Sequence, residues 1–269
     1  MAITTIDGAI AGMQWPRVIM KGITPTMVVG KAQSLWTLAG TVGVGAQDTT
    51  LNGIALDGGS TNIVGQIPWT NPGSGNSYLA RVQAGATVAG TLLLCDRLWM
   101  NGGYTITTTT AQNSTTPTWP ARDANGATAG AGVMIGLEVS AGCGAAAPAP
   151  TISYRNSADT ATNTGSLIFP TANSPATGSF FMFNMAAGDI GVKSVASLTL
   201  GTSWATGTIN LVAYRILASL ELQALIPNAI DCLTGGFVRM YNGSVPFLVF
   251  IPGAVTASYI NATVVWTQG

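Results

Sequence analysis

Residues 207–217, GTINLVAYRIL, indicate the class of fold that the rest of the sequence follows. The stretch is rich in β-branched and aromatic residues, which favour a pleated strand. Similar stretches stand at residues 133–140, 178–185, 192–200 and 259–268, and most are separated by Gly, Pro, Asn, Ser or Thr. The sequence therefore predicts a mainly β protein.

Two Asn-Gly pairs predict hairpins. The first lies between LLLCDRLWM, residues 92–100, and YTITTTT, residues 104–110. The second, Asn242–Gly243, lies within FVRMYNGSVPFLVFI, residues 237–251. An Asn-Gly pair supplies the positive φ of a tight reversal, and the flanking apolar and β-branched residues favour strands.

Helical periodicity is rare, and its best example is ASLELQALIPNAIDCL, residues 218–233. In a helix, Leu220, Ala224 and Leu225 would share one face before the proline stops or bends it. The same residues also fit the end of a long strand followed by a short helix around 229–233. The pattern leaves both interpretations open.

A break in composition suggests two domains. GCGAAAPAPT combines small residues with spaced prolines, which is typical of a semi-stiff linker. Trp15-Pro16 and Thr24-Pro25 favour an extended arm over core strands at the N-terminus. We predict an N-terminal arm at residues 1–31, a β-rich barrel or sandwich domain at 32–141, the Gly/Ala/Pro linker at 142–151, and a β-sandwich, jelly-roll-like domain at 152–269. Each domain is expected to be a β-sandwich, a jelly roll or a small β-barrel.

Charge is scarce. Only 7% of the 269 residues are charged, ten basic and ten acidic, although 47% are hydrophobic. No basic cluster suits a polyanion, so we expect no nucleic-acid partner. The mild excess at Arg17, Lys21 and Lys31 indicates a solvated or partner-facing arm. A neutral surface suits a chain covered by other subunits, or a plain β protein kept soluble by Thr, Ser and Asn.

Targeting signals are not evident. The start, MAITTIDGAIAGMQW, lacks the basic segment and apolar core of a typical secretory signal, and no apolar run approaches the roughly 20 residues of a membrane-spanning helix. We therefore expect no membrane partner. Cys95, Cys143 and Cys232 are far apart without a CxxC pair, which predicts buried thiols and fits synthesis in a reducing cytoplasm.

The sequence contains no histidine. A Ser-His-Asp or Cys-His arrangement is impossible within it, and carboxylates such as Glu138 and Glu221 are scattered singly. Asp48, Asn52 and Asp57 are spaced too loosely for an EF-hand calcium loop and fit turns better. We therefore predict no enzyme, no catalytic, cofactor-binding or metal-binding residues, and no cofactor.

Two couplets place opposite charges side by side, Asp96-Arg97 and Arg122-Asp123. Neighbours on a strand point to opposite faces, so neither couplet is itself an ion pair. Each charge is expected to pair with a residue on another strand or another subunit. Arg215 lies within an apolar strand, where a charge marks an edge, a pair or an interface.

GATAGAGVMIG, residues 126–136, has the glycine content of a phosphate-binding loop. Such a loop needs a strand before it and a helix after it. Here a proline-broken loop precedes the glycines and VMIGLEVS, a strand pattern, follows. The stretch is better explained as a reversal at Asn125–Gly126 followed by close backbone packing.

Seven tryptophans allow two uses. Trp69, Trp99 and Trp119 stand beside turn residues, where partial exposure would build a platform for sugars. Burial in a core or a subunit interface is the more frequent use of such side chains.

The C-terminal half resembles β-rich virion proteins of tailed bacteriophages. The resemblance rests on GVKSVASLTL at residues 191–200, LVAYR at 211–215 and LVFIPG at 248–253. The first half is similar to small-barrel capsid decoration modules. The resemblance to virion proteins covers the last ~110 residues best, and it implies no catalytic residues.

This resemblance implies a capsid cement or decoration protein that stabilises the outer surface of a phage capsid. Its partners would be the major capsid protein and itself, as a homo-oligomer and most simply a trimer. It would be made in the host bacterial cytoplasm and reside on the virion. Two alternatives stay open: a tail-fibre, baseplate or receptor-binding module that recognises host glycan, and an enzyme that degrades surface polysaccharide.

Overall fold

The computed structural model describes residues 3–24, 27–59, 61–171, 173–236 and 238–269. Within them the chain is mainly β, with two short helices. The elements are α1 (Ile6–Ala11), β1 (Arg17–Ile23), β2 (Ala32–Ser34), β3 (Gly40–Thr41), β4 (Ile54–Ala55), β5 (Ser77–Ala86), β6 (Gly90–Asn101), β7 (Gln112–Asn113), β8 (Val133–Ala141), β9 (Thr151–Asn156), β10 (Asn163–Leu167), β11 (Ser179–Asn184), β12 (Val192–Thr199), β13 (Thr208–Leu222), β14 (Asn228–Asp231), α2 (Cys232–Gly235), β15 (Arg239–Met240), β16 (Pro246–Pro252) and β17 (Ser258–Gln268). Within these ranges, no helix is long and apolar enough to cross a membrane.

A ring of six strands forms the centre of the molecule. In the larger sheet β2, β16, β6, β13, β8 and β11 follow one another, and a further pairing between β2 and β11 closes the ring. Its interior is filled by aromatic and aliphatic side chains, among them Phe180, Tyr214 and Phe247. The long strands β6 and β13 are buried along most of their length because they carry cores on both faces.

Two further cores cover the outside of this barrel. Beyond β11 the sheet continues through β10, β9, β12 and β7, and it encloses a core against β6, β8 and β13. A second sheet, in the order β14, β5, β17, β1 and β3 with β15 also on β5, packs its inner face against β6, β13 and β16. On β16, Phe247 and Val249 point into the barrel, whereas Leu248 and Phe250 point to this second sheet.

The strand predictions are confirmed. The stretches at 133–140, 178–185, 192–200, 207–217 and 259–268 correspond to β8, β11, β12, β13 and β17. Residues 218–233 follow the second of the two interpretations in part. The strand β13 continues to Leu222, but residues 228–231 form the strand β14, and the short helix, α2, begins only at Cys232.

Both hairpin predictions are wrong in their pairing. Residues 104–110 form turns instead of a strand, and β6 pairs with β13, β16 and β4. At Asn242–Gly243 the chain does reverse, with Gly243 at φ +80°. The flanking β15 and β16 then join different sheets, because β15 pairs with β5 and β16 with β6 and β2.

The predicted division into two domains is also wrong. The barrel takes β2, β6 and β8 from before residues 142–151, and β11, β13 and β16 from after them. The 142–151 segment is a packed loop whose Ala146 carbonyl accepts a hydrogen bond from the Trp204 indole at 3.1 Å. We therefore describe one body in which both halves share a sheet.

The prediction of an extended N-terminal arm is corrected as well. Residues 1–31 contain α1 and β1, and β1 lies inside the second sheet, between β17 and β3. Ile19 and Ile23 of β1 are buried in the core beneath it. Pro25, one of the prolines that suggested an arm, is outside the described residues.

Candidate functional site

The glycine-rich stretch cradles a carboxylate of its own chain. Asp123 accepts hydrogen bonds from the backbone N–H groups of Asn125 and Ala127 at one oxygen, and from those of Gly130 and Ala131 at the other, at 2.8–3.1 Å. Asp123 is buried. A set of converging N–H groups is an anion site, and here the anion is supplied internally.

This geometry explains why the stretch looks like a phosphate loop. Gly126 and Gly130 adopt positive φ values of +75° and +84°, which let the backbone wrap around the carboxylate. The strand β8 follows, as the sequence predicted, and the reversal at Asn125–Gly126 is present. What the sequence analysis missed is the role of Asp123, which immediately precedes the reversal.

Inside the barrel, Arg97 and Glu138 form a fully buried, bidentate ion pair. The two guanidinium nitrogens donate to the two carboxylate oxygens at 3.0 and 2.8 Å, and neither side chain reaches solvent. The guanidinium also lies 4.5 Å from the Trp36 ring centroid and 5.5 Å from that of Phe247. Two aromatic faces and one carboxylate therefore hold this charge in an otherwise apolar interior.

Arg122 fastens three segments together. Its Nε lies 3.3 Å from an Asp96 carboxylate oxygen, and its guanidinium donates to the carbonyls of Leu56, Arg97 and Gly243. The second Asp96 oxygen accepts the Val245 N–H at 2.8 Å. Within this one chain, Arg97 of β6 thus pairs with Glu138 of β8 as predicted, and Asp96 pairs with Arg122 of the loop before β8. Asp123 departs from the prediction, because backbone N–H groups hold its carboxylate and no cation among the described residues pairs with it.

Arg215 is buried in β13, where Arg239 and Tyr241 are its neighbours. It donates to the Arg239 carbonyl at 2.9 Å, and its guanidinium lies 5.2 Å from the Tyr241 ring. The Arg239 guanidinium lies 4.8 Å from the same ring. Burial lowers the pKa of Arg215, and the nearby Asp96 partly opposes that shift. The partners of the Arg215 charge are therefore a backbone carbonyl and an aromatic ring.

The proposed sugar platform is not present at the predicted tryptophans. Trp69, Trp99 and Trp119 are all buried. Trp69 packs edge-on against Trp266, and Trp99 packs against Trp119, with ring centroids about 6 Å apart. Of the two uses that the sequence allowed, burial in a core is the one observed, because the sheets cover these side chains although turn residues neighbour them in the sequence.

The basic residues of the N-terminal segment do not form one solvated surface. Lys21 is buried, and its ammonium donates to the carbonyls of Leu38 at 2.6 Å and Gly43 at 3.2 Å. Burial lowers the pKa of Lys21 to about 8. Arg17 donates to the carbonyls of Pro68 and Trp15.

The residues considered for calcium serve turns. Asp57 accepts the Gly59 N–H, and Asp48 accepts the Thr50 hydroxyl and the Gly102 N–H. Among the described residues there is no group of three or more Cys, Asp or Glu side chains placed to hold a metal ion. Of the cysteines, Cys95 and Cys143 are buried and Cys232 is half-buried; burial raises the pKa of Cys143 to about 11.

In the part of the chain that the structure describes, two exposed surfaces rich in apolar side chains lie on different elements. One is the solvent side of the second sheet, with Trp15 83% exposed and Tyr259 67% exposed; we call it the outer face. The other is a groove of about 270 Å3 between β2, β11 and Ile251, rimmed by Ile168 and Phe169; we call it the barrel groove. No pattern in the sequence predicted either of them.

Comparison with known proteins gives few matches. No protein-family model and no curated protein matches the chain. Among solved structures, the chain is similar to the infectious bursal disease virus VP2 subviral particle at 8% identity, over 96% of this chain and 80% of that one, with a TM-score of 0.18. It is similar to T=1 particles derived from the same virus at 11% identity, over 94% of this chain and 40% of that one, with a TM-score of 0.12. These are viral capsid structures, but superpositions of this quality establish neither a shared fold nor a shared function.

Proposed function

We propose that the chain is a non-enzymatic structural protein of a virion, which binds the outer surface of a phage capsid and stabilises it as a homo-oligomer. One observation carries the proposal: a neutral chain exposes two separate apolar surfaces, the outer face and the barrel groove. A cement protein needs one contact with its own copies and another with the major capsid protein. Because many copies bind the same capsid lattice, their weak contacts together hold the protein on the capsid.

The rest of the molecule supports this role. Charged side chains such as Arg97, Arg122 and Glu138 are used to hold strands together inside the body. A surface with few free charges can be covered by neighbouring subunits without a large desolvation cost. The resemblance to phage virion proteins along residues 191–253 agrees with it.

Binding to purified capsids tests the proposal. The protein, added to expanded capsids of its phage, should sediment with them and raise their melting temperature. Phe169→Asp, at the rim of the barrel groove, should weaken that binding, whereas Ile190→Asp should leave it unchanged because Ile190 is exposed elsewhere. Copy number in the virion is the second measurement. No sedimentation with capsids, or a handful of copies per particle, would remove the cement role.

One feature favours the glycan-binding alternative. An open cleft of about 450 Å3 is lined by Thr118, Thr128 and Ser194, beside the ion-paired Arg155 and Lys193. Hydroxyl and charged groups of this kind bind sugars through hydrogen bonds. A glycan array distinguishes the two functions: binding that is lost in Lys193→Ala and kept in Ile190→Asp would favour a receptor-binding module.

A further inference from the structure

The outer face combines exposed apolar side chains with the polar Asn261, Thr263 and Gln83 of β17 and β5. The outward positions of β1 are Val18 and Met20, and both are exposed. On the neighbouring β17, the exposed Tyr259 ring lies against Gly22, its partner in the strand register. An antiparallel sheet with one solvated face usually places polar residues at such positions.

The helix α1 extends this face. It lies at the end of β17, where the Thr267 hydroxyl donates to the Ala9 carbonyl at 2.6 Å. Its Ile6 and Ile10 side chains are exposed and border an apolar groove of about 330 Å3 that ends at Leu233 beyond β14. Trp15 follows, between α1 and β1.

The far edge of the same sheet is apolar too. Leu225 and Ile226 are exposed beside β5, and the Leu225 N–H donates to the Ala86 carbonyl. Leu225 has φ +61°, a conformation that a non-glycine residue keeps only where its surroundings impose it. About half of the exposed large hydrophobic side chains in the described ranges lie on or beside this one sheet.

The exposed area matches what a stable contact requires. Aromatic side chains bury about 150–250 Å2 each, so Trp15 and Tyr259 offer on the order of 300 Å2 together. The aliphatic and methionine side chains add roughly 60–100 Å2 each. The outer face therefore reaches the order of 800 Å2 per partner that stable protein interfaces bury.

The charges on this face suit a second copy of the same chain. Arg81 and Asp231, both exposed, stand opposite each other in the β5–β14 register. A two-fold axis brings the same patch of two copies together, so that residue i meets j and j meets i. A cation beside an anion can then face its opposite in the other copy, and no net charge opposes the contact.

We propose that two copies of this chain associate through their outer faces about a two-fold axis. The inference rests on the proposed structural role and names the self-contact of that oligomer. A two-fold contact gives even numbers of copies. The trimer expected from the sequence resemblance would therefore need a second, different contact.

Mass in solution tests this inference without any capsid. Light scattering during size-exclusion chromatography, over a wide dilution series, should give twice the 27.4 kDa chain mass. Met20→Asp places a charge on the exposed side of β1 and should give the single-chain mass. Ile190→Asp, at a position off the face that is still more exposed, should keep the double mass. Circular dichroism and the unfolding temperature confirm that both variants are folded.

A charge reversal at Arg81 supplies the second arm. Arg81→Asp should weaken association, because it places a like charge opposite Asp231 of the other copy, whereas Arg81→Lys, which keeps the charge, should retain it. Asp231 is left unchanged in this test because its carboxylate caps α2. A single-chain mass for the unaltered protein, a mass of three chains, or a double mass kept by Met20→Asp would overturn the inference. Unaltered single chains that still sediment with capsids would overturn only this inference, whereas double-mass protein that ignores capsids would overturn only the proposed function.

Discussion

Glu138 neutralises the Arg97 guanidinium in a place where water reaches neither charge. Replacing Glu138 with Gln leaves a buried cation without its counter-charge, which in other proteins costs about 3–5 kcal/mol. We expect the free energy of unfolding to fall by that order in urea titrations of Glu138→Gln.

A matched control is an ion pair that water already screens. Asp159 pairs with Arg155 and Lys193, and all three side chains are exposed. Asp159→Asn should therefore change the stability only slightly. If Glu138→Gln is as mild as Asp159→Asn, the buried pair does not stabilise the barrel in the way proposed.

Lys21 makes stability depend on pH in one direction. Its folded pKa of about 8 lies below the ordinary value of 10.5, so between these pH values the unfolded chain binds more protons. The contribution of Lys21 to the free energy of unfolding should therefore rise as pH increases from 8 toward 10.5, with a slope below the about 1.4 kcal/mol per pH unit of one full proton.

The measurement is best made between pH 7.5 and 9, because cysteines of the unfolded chain ionise mainly above their ordinary pKa of 9.0. Above it, the raised pKa of Cys143 works in the opposite sense, because the folded protein then binds the extra proton. Lys21→Met removes the titrating group and should flatten the slope, whatever its effect on absolute stability. An unchanged slope in this variant would assign the pH dependence to other groups.

Asp123 gives a test of the internal anion cradle. Asp123→Ala removes the acceptor for four backbone N–H groups, each of which costs about 1–3 kcal/mol when buried without a partner. We expect a large loss of stability and a partial recovery in formate, a carboxylate small enough for the vacated space. Formate should not raise the unfolding temperature of the unaltered protein, and equal effects on both would contradict the cradle.

At the scale of elements, β8 shows how a strand is fitted to the barrel interior. A Cβ on Gly136 would lie 2.1 Å from the Phe180 ring, so only glycine leaves room for this aromatic group. Gly136→Ala should destabilise the protein by about 1–3 kcal/mol through overpacking. Gly73→Ala, which meets nothing within 4 Å, is the matched control. Phe180→Leu in the Gly136→Ala background should recover part of the loss.

The strands were predictable because β-branched and aromatic residues cluster in them, but their partners were not. Asn-Gly pairs mark reversals locally, yet β15 and β16 leave the Asn242–Gly243 turn for different sheets. The choice of partner depends on cores formed by residues far apart in sequence, and no local pattern records it.

The exposed side of β1, which belongs to the outer face, could not be predicted from the local pattern either. In β1, RVIMKGI, the charged residues Arg17 and Lys21 share their alternation with Ile19 and Ile23. The pattern is therefore ambiguous about which side faces solvent. The structure buries Lys21 on the core side, where it finds two carbonyls, and this choice exposes Val18 and Met20.

The barrel joins the two halves of the chain, so the whole molecule should fold and unfold as one unit. The strand β13, from the C-terminal half, pairs along its length with β6 and β8 from the N-terminal half. Without it, both N-terminal strands lose a neighbour and their buried faces lose cover. The halves on either side of residues 142–151 therefore depend on each other for their cores.

Unfolding should accordingly occur in a single cooperative transition. We expect near-ultraviolet circular dichroism, which reports on the tryptophans, and far-ultraviolet circular dichroism, which reports on the sheets, to give coincident curves. Fragments 1–141 and 152–269 should each be unfolded when isolated, because the barrel draws three of its six strands from each. Two separate transitions, or one fragment with the near-ultraviolet spectrum of a packed core, would instead favour the division into two domains that the sequence suggested.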